Sequence, residues 1–304
     1  MNFLCLKNFS LCCDSMQFGT VCIIGPGLIG GSVGLGLKKR DLAKAVIGVG
    51  HKASSIENAL KMQAIDSGTL DIDSAVKDAD IVILATAVDK IIDTATRVIP
   101  LMKGNAILTD VGSTKNEIVK QITRTLREDI AFVGSHPIAG SEQRGVEYAS
   151  SDLFAGCNCI LTPPSRHAKG VETIASLWQL LGARIIYLSP EQHDEILAYV
   201  SHLPHLIASC LVNSIKQEHL VYAASGLRDT TRVASGDPEL WINIFDQNRE
   251  NVIRSIDQLM TELTGFRNDL VKRNDASLLD RLTKAKVSRD SVFHNNSKNQ
   301  GMNK

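Results

Sequence analysis

The 304-residue chain has no excess charge of either sign: Lys plus Arg and Asp plus Glu stand at 33 each. A balanced chain carries no global positive field, which argues against nucleic acid as its ligand; any anion must be met by a local cluster. No uninterrupted apolar run reaches the length that spans a bilayer, which argues against a membrane protein. A disulfide framework is missing as well. The seven cysteines are odd in number and scattered, at Cys5, Cys12, Cys13, Cys22, Cys157, Cys159 and Cys210, a pattern that suits reduced thiols in a cytoplasmic protein. Cys157-Asn158-Cys159 lacks the second cysteine pair of a zinc site, so these two read as strand thiols and no metal is expected.

What is present is enough length and apolar content for two domains. Residues 1–17 look unlike fold and read as a disordered extension. From Thr20 a strand-helix alternation begins that argues a doubly wound parallel sheet, an α/β Rossmann domain over residues 18–188. Buried strands are read at Thr20–Ile24, Ala45–Gly50, Asp80–Thr86, Ala106–Val111 and Ile130–Val133 from their continuous apolar and β-branched content. Ile65 to Gly68 reads as a turn. At Ser189 the pattern changes. Ser189 and Pro190 suit the N-cap and first position of a helix, and no convincing strand follows. The long apolar stretch from His193 to Ile215, broken at Pro204, implies a helix buried on most sides. Residues 189–284 therefore read as an all-helical domain, and the Asn-, Ser- and Lys-rich residues 285–304 as a disordered tail.

Three places carry chemistry. The first is Gly25-Pro26-Gly27-Leu28-Ile29-Gly30, a G-x-G-x-x-G run between a strand and a helix. Gly25 permits the tight turn, Gly27 lets the backbone approach a pyrophosphate, and Gly30 lets helix and strand close up; Leu28 and Ile29 open the helix whose N-terminus meets the phosphates. Thr86, Ala87 and Val88, after the third long strand, fall beside the same cofactor. The end of the second strand, where an NAD site usually shows an acid, reads His51-Lys52. These two either face the 2′-phosphate of NADP or are solvated loop residues, so NAD and NADP both remain open.

The second place is Gly134-Ser135-His136-Pro137-Ile138-Ala139-Gly140-Ser141-Glu142, at the end of a buried strand. Such a loop lies where open α/β sheets bind ligands, and His136 is a candidate general base, with Ser141 or Glu142 to orient it or the substrate. Ser113, where the preceding strand gives way to a helix, either hydrogen-bonds in this site or simply caps the helix. The third place is helical. His202 and His205 flank Pro204 on one helix face. No acid stands at metal-ligand spacing, so substrate contact is the better functional reading beside that of core histidines. Arg228 and Arg232, followed by Trp241, offer guanidiniums that pair carboxylates in bidentate fashion or form surface salt bridges.

With these residues in place the chain resembles the prephenate/arogenate dehydrogenase family of tyrosine biosynthesis. The resemblance rests on Gly25 to Gly30, Asp110-Val111-Gly112-Ser113-Thr114-Lys115, Gly134 to Glu142, His202-Leu203-Pro204-His205, and Arg228-Asp229-Thr230-Thr231-Arg232 with Trp241, in that order. It implies a Rossmann domain followed by a helical dimerisation domain, a homodimer, and an NAD(P)-dependent dehydrogenase of a small-molecule substrate. It further implies His136 as catalytic base, Ser113 as its assistant, Arg232 as anchor of a substrate carboxylate, and His202, His205, Ser141, Glu142, Arg228 and Trp241 as pocket lining. A β-hydroxyacid type dehydrogenase shares this plan but generally uses a lysine of the helical domain, whereas here the histidine stands in the Rossmann half. A non-catalytic dinucleotide sensor would share the fold without the chemistry.

Overall fold

The computed structural model describes residues 17–139, 143–164 and 168–300, with side chains as far as 292. Among the described residues the eight strands are β1 (Phe18–Ile24), β2 (Ala43–Val49), β3 (Ser67–Thr69), β4 (Ile81–Leu84), β5 (Ile107–Asp110), β6 (Ala131–Pro137), β7 (Asn158–Thr162) and β8 (Arg184–Tyr187). The helices between them are α1 (Leu28–Lys39), α2 (Ala53–Lys61), α3 (Ile72–Ala75), α4 (Ile91–Val98), α5 (Asn116–Thr125) and α6 (Ala168–Leu180). Then come α7 (Pro190–Leu197), α8 (Leu203–Ser214), α9 (Ser225–Thr231), α10 (Pro238–Gln247), α11 (Arg249–Lys272) and α12 (Asp275–Gln300).

The strands form one sheet in the order β3-β2-β1-β4-β5-β6-β7-β8. All pairs from β3 to β6 are parallel, β7 is antiparallel to β6, and β8 is parallel to β7. The order reverses between β1 and β4, which opens a crevice beyond their carboxyl ends. The central strands β1, β4, β5 and β6 are largely apolar because both their faces are covered. Along β1, Val21 and Ile23 pack with Val33 and Leu37 of α1 and with Ile174 and Trp178 of α6. Cys22 and Ile24 point the other way, toward Ile91 and Val98 of α4 and Ile118 and Ile122 of α5. Each such side chain, fully buried, contributes roughly 1.5–3 kcal/mol. Ile244 of α10 joins the second cluster, so this helix is part of the sheet's own unit.

The chain divides into two compact units, the first ending at Arg249 and the second running from Glu250; the change from strands to helices at Ser189 falls inside the first. The expected helix start is present in full. Ser189 caps α7, accepting from the Gln192 amide, and Gln192 closes the box on the Ser189 amide, with Pro190 in the first turn. The expected break near Pro204 takes the form of a widened π turn over Ala198–His202. Pro204 has no N–H to donate, and the turn before it absorbs the fault in the ladder.

Three sequence expectations need correction. Ile65 to Gly68 is not only a turn, since Ser67–Thr69 is an edge strand paired to β2; three residues are too few for any periodicity to show. The helical run Pro190–Ser214 is, by length and composition, apolar enough to cross a membrane, against the expectation that no run reaches that length. Its buried polar residues, His193, Asp194, His202 and His205, are tied into the site described below. Third, the expected disordered tail 285–304 is helical as far as Gln300. Residues 285–300 contain neither Gly nor Pro, and Lys286 pairs with Asp290 one turn on at 2.6 Å. Residues 1–16 and 301–304 lie outside the described residues. In the second unit, Arg281 of α12 fastens the hairpin by pairing with Glu262 and Asp269 of α11.

Candidate active site

The glycine turn has the geometry that its sequence implies. Gly25 sits at φ +95, and a Cβ there would lie 2.6 Å from the Ala85 carbonyl oxygen. A Cβ on Gly30 would meet the Gly25 carbonyl at 2.4 Å. A Cβ on Gly27 would meet nothing within 4 Å, so beside Gly27 there is open space at the head of α1. No side chain caps that helix and no acid stands in its first turn, which leaves the amides of Leu28, Ile29 and Gly30 to a ligand. Across the crevice the Thr86 hydroxyl is buried with no partner. An open cradle, uncapped amides and an orphaned hydroxyl fit a dinucleotide. Ala87 is exposed on the same loop, but Val88 is not. Its side chain belongs to the second core cluster and only its carbonyl is used, accepting from the Gln247 amide at 3.0 Å; the apolar side chain gains more in the core than over a cofactor. His51 and Lys52 are exposed at the head of α2, whose first turn carries no acid.

His136 lies near the end of β6, between Ser135 and Pro137. Its Nδ1 is 2.8 Å from Nε2 of His193, on α7. Nδ1 of His193 is 2.7 Å from the Asp194 carboxylate. That carboxylate also accepts from the backbone amides of Lys115 at 2.8 Å and Asn116 at 2.9 Å. Asp194 thus caps α5 from another helix. Ser113, half-buried on the loop before α5, is not the cap. Under the same loop Lys115 and Asp110 form an ion pair with both side chains at 0 % exposure. Asp110 also accepts from the amides of Gly112 and Ser135, so one carboxylate pins the β5–α5 loop to β6. Burial, then the neighbouring His193, Lys115 and His202, hold the His136 pKa well below the ordinary histidine value. His193 is also lowered, by burial above all, with Asp194 opposing. Both rings are therefore neutral near pH 7. His136 keeps partial exposure, as a group that meets a ligand must.

The third expected group is also assembled. His205 stacks on Trp241 with ring centroids 3.7 Å apart, and His202 meets the same indole edge-on at 6.2 Å. Gly236 makes room, since a Cβ there would lie 2.6 Å from the Trp241 Nε1. Asn248 joins this cluster to the first: its amide nitrogen is 2.7 Å from the Asp194 carbonyl and 3.1 Å from Nδ1 of His202. Burial pushes the His202 pKa down to about 4. His205 is lowered, by burial first, with the Val233 backbone opposing; that contact holds the turn beginning at Arg232 against α8. Arg232 itself is exposed. Arg228 is exposed on α9 and pairs with its neighbour Asp229 at 3.2 Å. Ser141 and Glu142 lie outside the described residues; among those described, His193 is the residue that orients the His136 ring.

Sequence reading therefore missed His193, Asp194, Asn248 and the role of Lys115. The signal for the first two was faint: the histidine-aspartate pair stands among Glu191, Gln192 and Glu195 at the polar start of α7 and is buried there while those three are exposed. Asn248 and Lys115 carry no such mark.

Comparison with known proteins sharpens the picture. Residues 33–187 match the sequence family described as prephenate dehydrogenase, nucleotide-binding domain, and residues 189–285 match prephenate dehydrogenase, dimerization domain. The chain is 35% identical over 282 residues to a prephenate dehydrogenase of Bacillus subtilis, covering 90% of this chain and 76% of the relative. It is 31% identical to a cyclohexadienyl dehydrogenase of Zymomonas mobilis, covering 90% and 95%. Among solved structures, Aquifex aeolicus prephenate dehydrogenase in complex with hydroxyphenyl propionate and NAD+ superposes with a TM-score of 0.84 at 32% identity, covering 91% of this chain and 99% of that one. Synechocystis arogenate dehydrogenase gives 0.79 at 28% identity, covering 90% and 100%.

Proposed function

Since the chain belongs to the prephenate dehydrogenase family, we propose that it oxidatively decarboxylates prephenate, arogenate or both, in tyrosine biosynthesis. The observation that carries the reading is His136: a neutral imidazole at the end of β6, held by a buried partner beside a crevice that fits a dinucleotide. NAD+ or NADP+, when bound, supplies the hydride acceptor.

Both substrates carry a ring hydroxyl opposite a ring carboxylate. His136 accepts the hydroxyl proton while hydride leaves the same carbon. The carbon-carboxylate bond then breaks, carbon dioxide leaves, its electron pair passes through the ring onto the oxygen, and the phenolate takes back a proton to give the phenol. The protein has to orient the ring, take one proton and neutralise anions. His136 takes the proton. Trp241, His202 and His205 form the aromatic and hydrogen-bonding wall, Arg232 anchors a carboxylate, and Ser113, Ser141, Glu142 and Arg228 complete the lining. Buried His202 is neutral, so it offers hydrogen bonding without charge and leaves charge pairing to arginine.

The reading includes a homodimer in the cytoplasm, built through the segment that matches the dimerization domain. Met260, Leu263 and Leu270 of α11 and Leu279 and Leu282 of α12 are exposed, an apolar surface that a second copy would cover. The test is a spectrophotometric square: prephenate or arogenate, each with NAD+ or NADP+. Reduced nicotinamide in one corner fixes substrate and cofactor together. Silence in all four, with dinucleotide still bound, rejects the assignment.

A further inference from the structure

The hydrogen bonds around Asp194 decide which nitrogen of His136 is the base. The Lys115 and Asn116 amides can only donate, so the Asp194 carboxylate that receives them is an acceptor, at the positive end of α5. Nδ1 of His193, 2.7 Å away, must then carry hydrogen. A neutral imidazole has one N–H, so Nε2 of His193 is bare and accepts. Its partner at 2.8 Å is Nδ1 of His136, which must carry hydrogen in turn. That leaves Nε2 of His136 unprotonated, and this nitrogen makes no hydrogen bond among the described residues.

We propose that His193 and Asp194 are positioning residues that lock His136 in the Nδ1–H tautomer, so that Nε2 is the proton acceptor, and that they spread the charge once the proton arrives. In that step the substrate O–H bond breaks and an N–H bond forms at Nε2. The resulting imidazolium keeps its Nδ1–H on His193, whose own N–H faces the Asp194 carboxylate. The same hub sets His202 in the opposite sense. The Asp194 main-chain carbonyl fixes the Asn248 amide, whose second N–H donates to Nδ1 of His202, so His202 presents Nε2–H as a neutral donor. One residue on α7 thus prepares both an acceptor and a donor. The proposal rests on the dehydrogenase reading only for the turnover it predicts; the tautomers stand apart from it.

The test joins nitrogen NMR to kinetics on the full-length protein. In 15N-histidine-labelled wild type, assigned with His136→Asn and His193→Phe, the His136 ring should show a protonated Nδ1 and a bare Nε2. His193→Phe leaves Asp194 on the α5 amides and removes both the acceptor for His136 and the donor to Asp194. It should release His136 toward the other tautomer and lower kcat roughly 10²-fold, with KM and dinucleotide affinity changed no more than about twofold. His193→Gln, whose amide oxygen can reach the place of Nε2, should recover most of the loss. A wild-type proton on Nε2 of His136 overturns the proposal, as does a folded His193→Phe enzyme with unchanged kcat and tautomer. If His193→Phe does not fold, the wild-type spectrum still decides. If wild type turns over none of the four substrate-cofactor pairs, the functional reading fails while the spectrum still judges the tautomers.

Discussion

The dinucleotide crevice and the proton-transfer cluster both lie at the carboxyl ends of the parallel strands but are built in opposite ways. The crevice is local: six consecutive residues make the turn, and its close contacts are with main chain, Gly25 against Ala85 and Gly30 against Gly25. Main-chain amides do the binding, so side-chain identity matters chiefly by its absence. The proton cluster draws His136 from β6, Asp110 and Lys115 from either side of the β5–α5 loop, His193 and Asp194 from α7, and Asn248 from the end of α10. Each of these matters for its donor or acceptor pattern. A site that holds phosphate can be carried by backbone geometry alone; a site that moves a proton needs a fixed partner on the nitrogen that must not react, and the fold must bring that partner from afar.

The sharpest break between the two is His136→Asn. It removes Nε2 but leaves an amide near the place of Nδ1. Turnover should fall about 10²–10⁴-fold, while dinucleotide affinity and substrate KM stay near wild type. A mutant with near-normal kcat removes His136 from the mechanism.

Lys115→Met comes next. The ammonium is wholly buried on Asp110, and removing one member of a buried pair leaves an uncompensated charge, at about 3–5 kcal/mol. Urea unfolding should show the loss. A change below about 1 kcal/mol would mean that Asp110 is satisfied by the Gly112 and Ser135 amides alone.

This contrast also explains what was legible in the sequence. The strands could be read because a sheet covered on both faces selects apolar runs: Val21, Cys22, Ile23 and Ile24 are all buried, alternately on opposite faces. The glycine turn could be read because its cause is local. His136 stood out as a polar residue ending a buried strand, but its orienting partner did not. That His193 meets it depends on where α7 docks, which no spacing encodes. Ser113 looked like a helix cap because caps are usually local; here Asp194, far along the chain, supplies it. The edge strand β3 and the polar end of α12 escaped for the converse reason, since neither carries a periodic apolar signal.

The buried histidines also make the first unit's stability depend on pH. His202 goes from 6.5 to about 4 on folding. Between those values the unfolded chain binds more protons than the folded one, so stability rises with pH across the window. The contribution is complete above 6.5, is lost as pH falls toward 4, and is on the order of 3 kcal/mol. His136 and His193, both lowered, act in the same sense. Urea midpoints should therefore fall through this acid range, and His202→Gln should flatten the fall. The acid limb of kcat/KM should likewise lie below the ordinary histidine pKa, because burial, and then the facing His193, Lys115 and His202, lower that of His136. An acid limb above that value would mean that another group limits the rate.

The smallest effect separates the roles of the glycines. Gly25→Ala forces a Cβ to within 2.6 Å of a backbone oxygen at φ +95, so it should destabilise the fold as well as the cofactor site. Gly27→Ala places its methyl in open space. If that space belongs to a pyrophosphate, Gly27→Ala should leave the melting temperature of the ligand-free protein nearly unchanged. It should weaken dinucleotide binding about tenfold, near 1.4 kcal/mol. Calorimetry on the ligand-free protein and titration with NAD+ and NADP+ measure the two quantities separately. Equal losses in both would show that Gly27 is needed by the turn itself, and the crevice would then depend on side-chain-free packing throughout instead of on one reserved opening. Normal affinity would place the phosphates elsewhere, away from the head of α1.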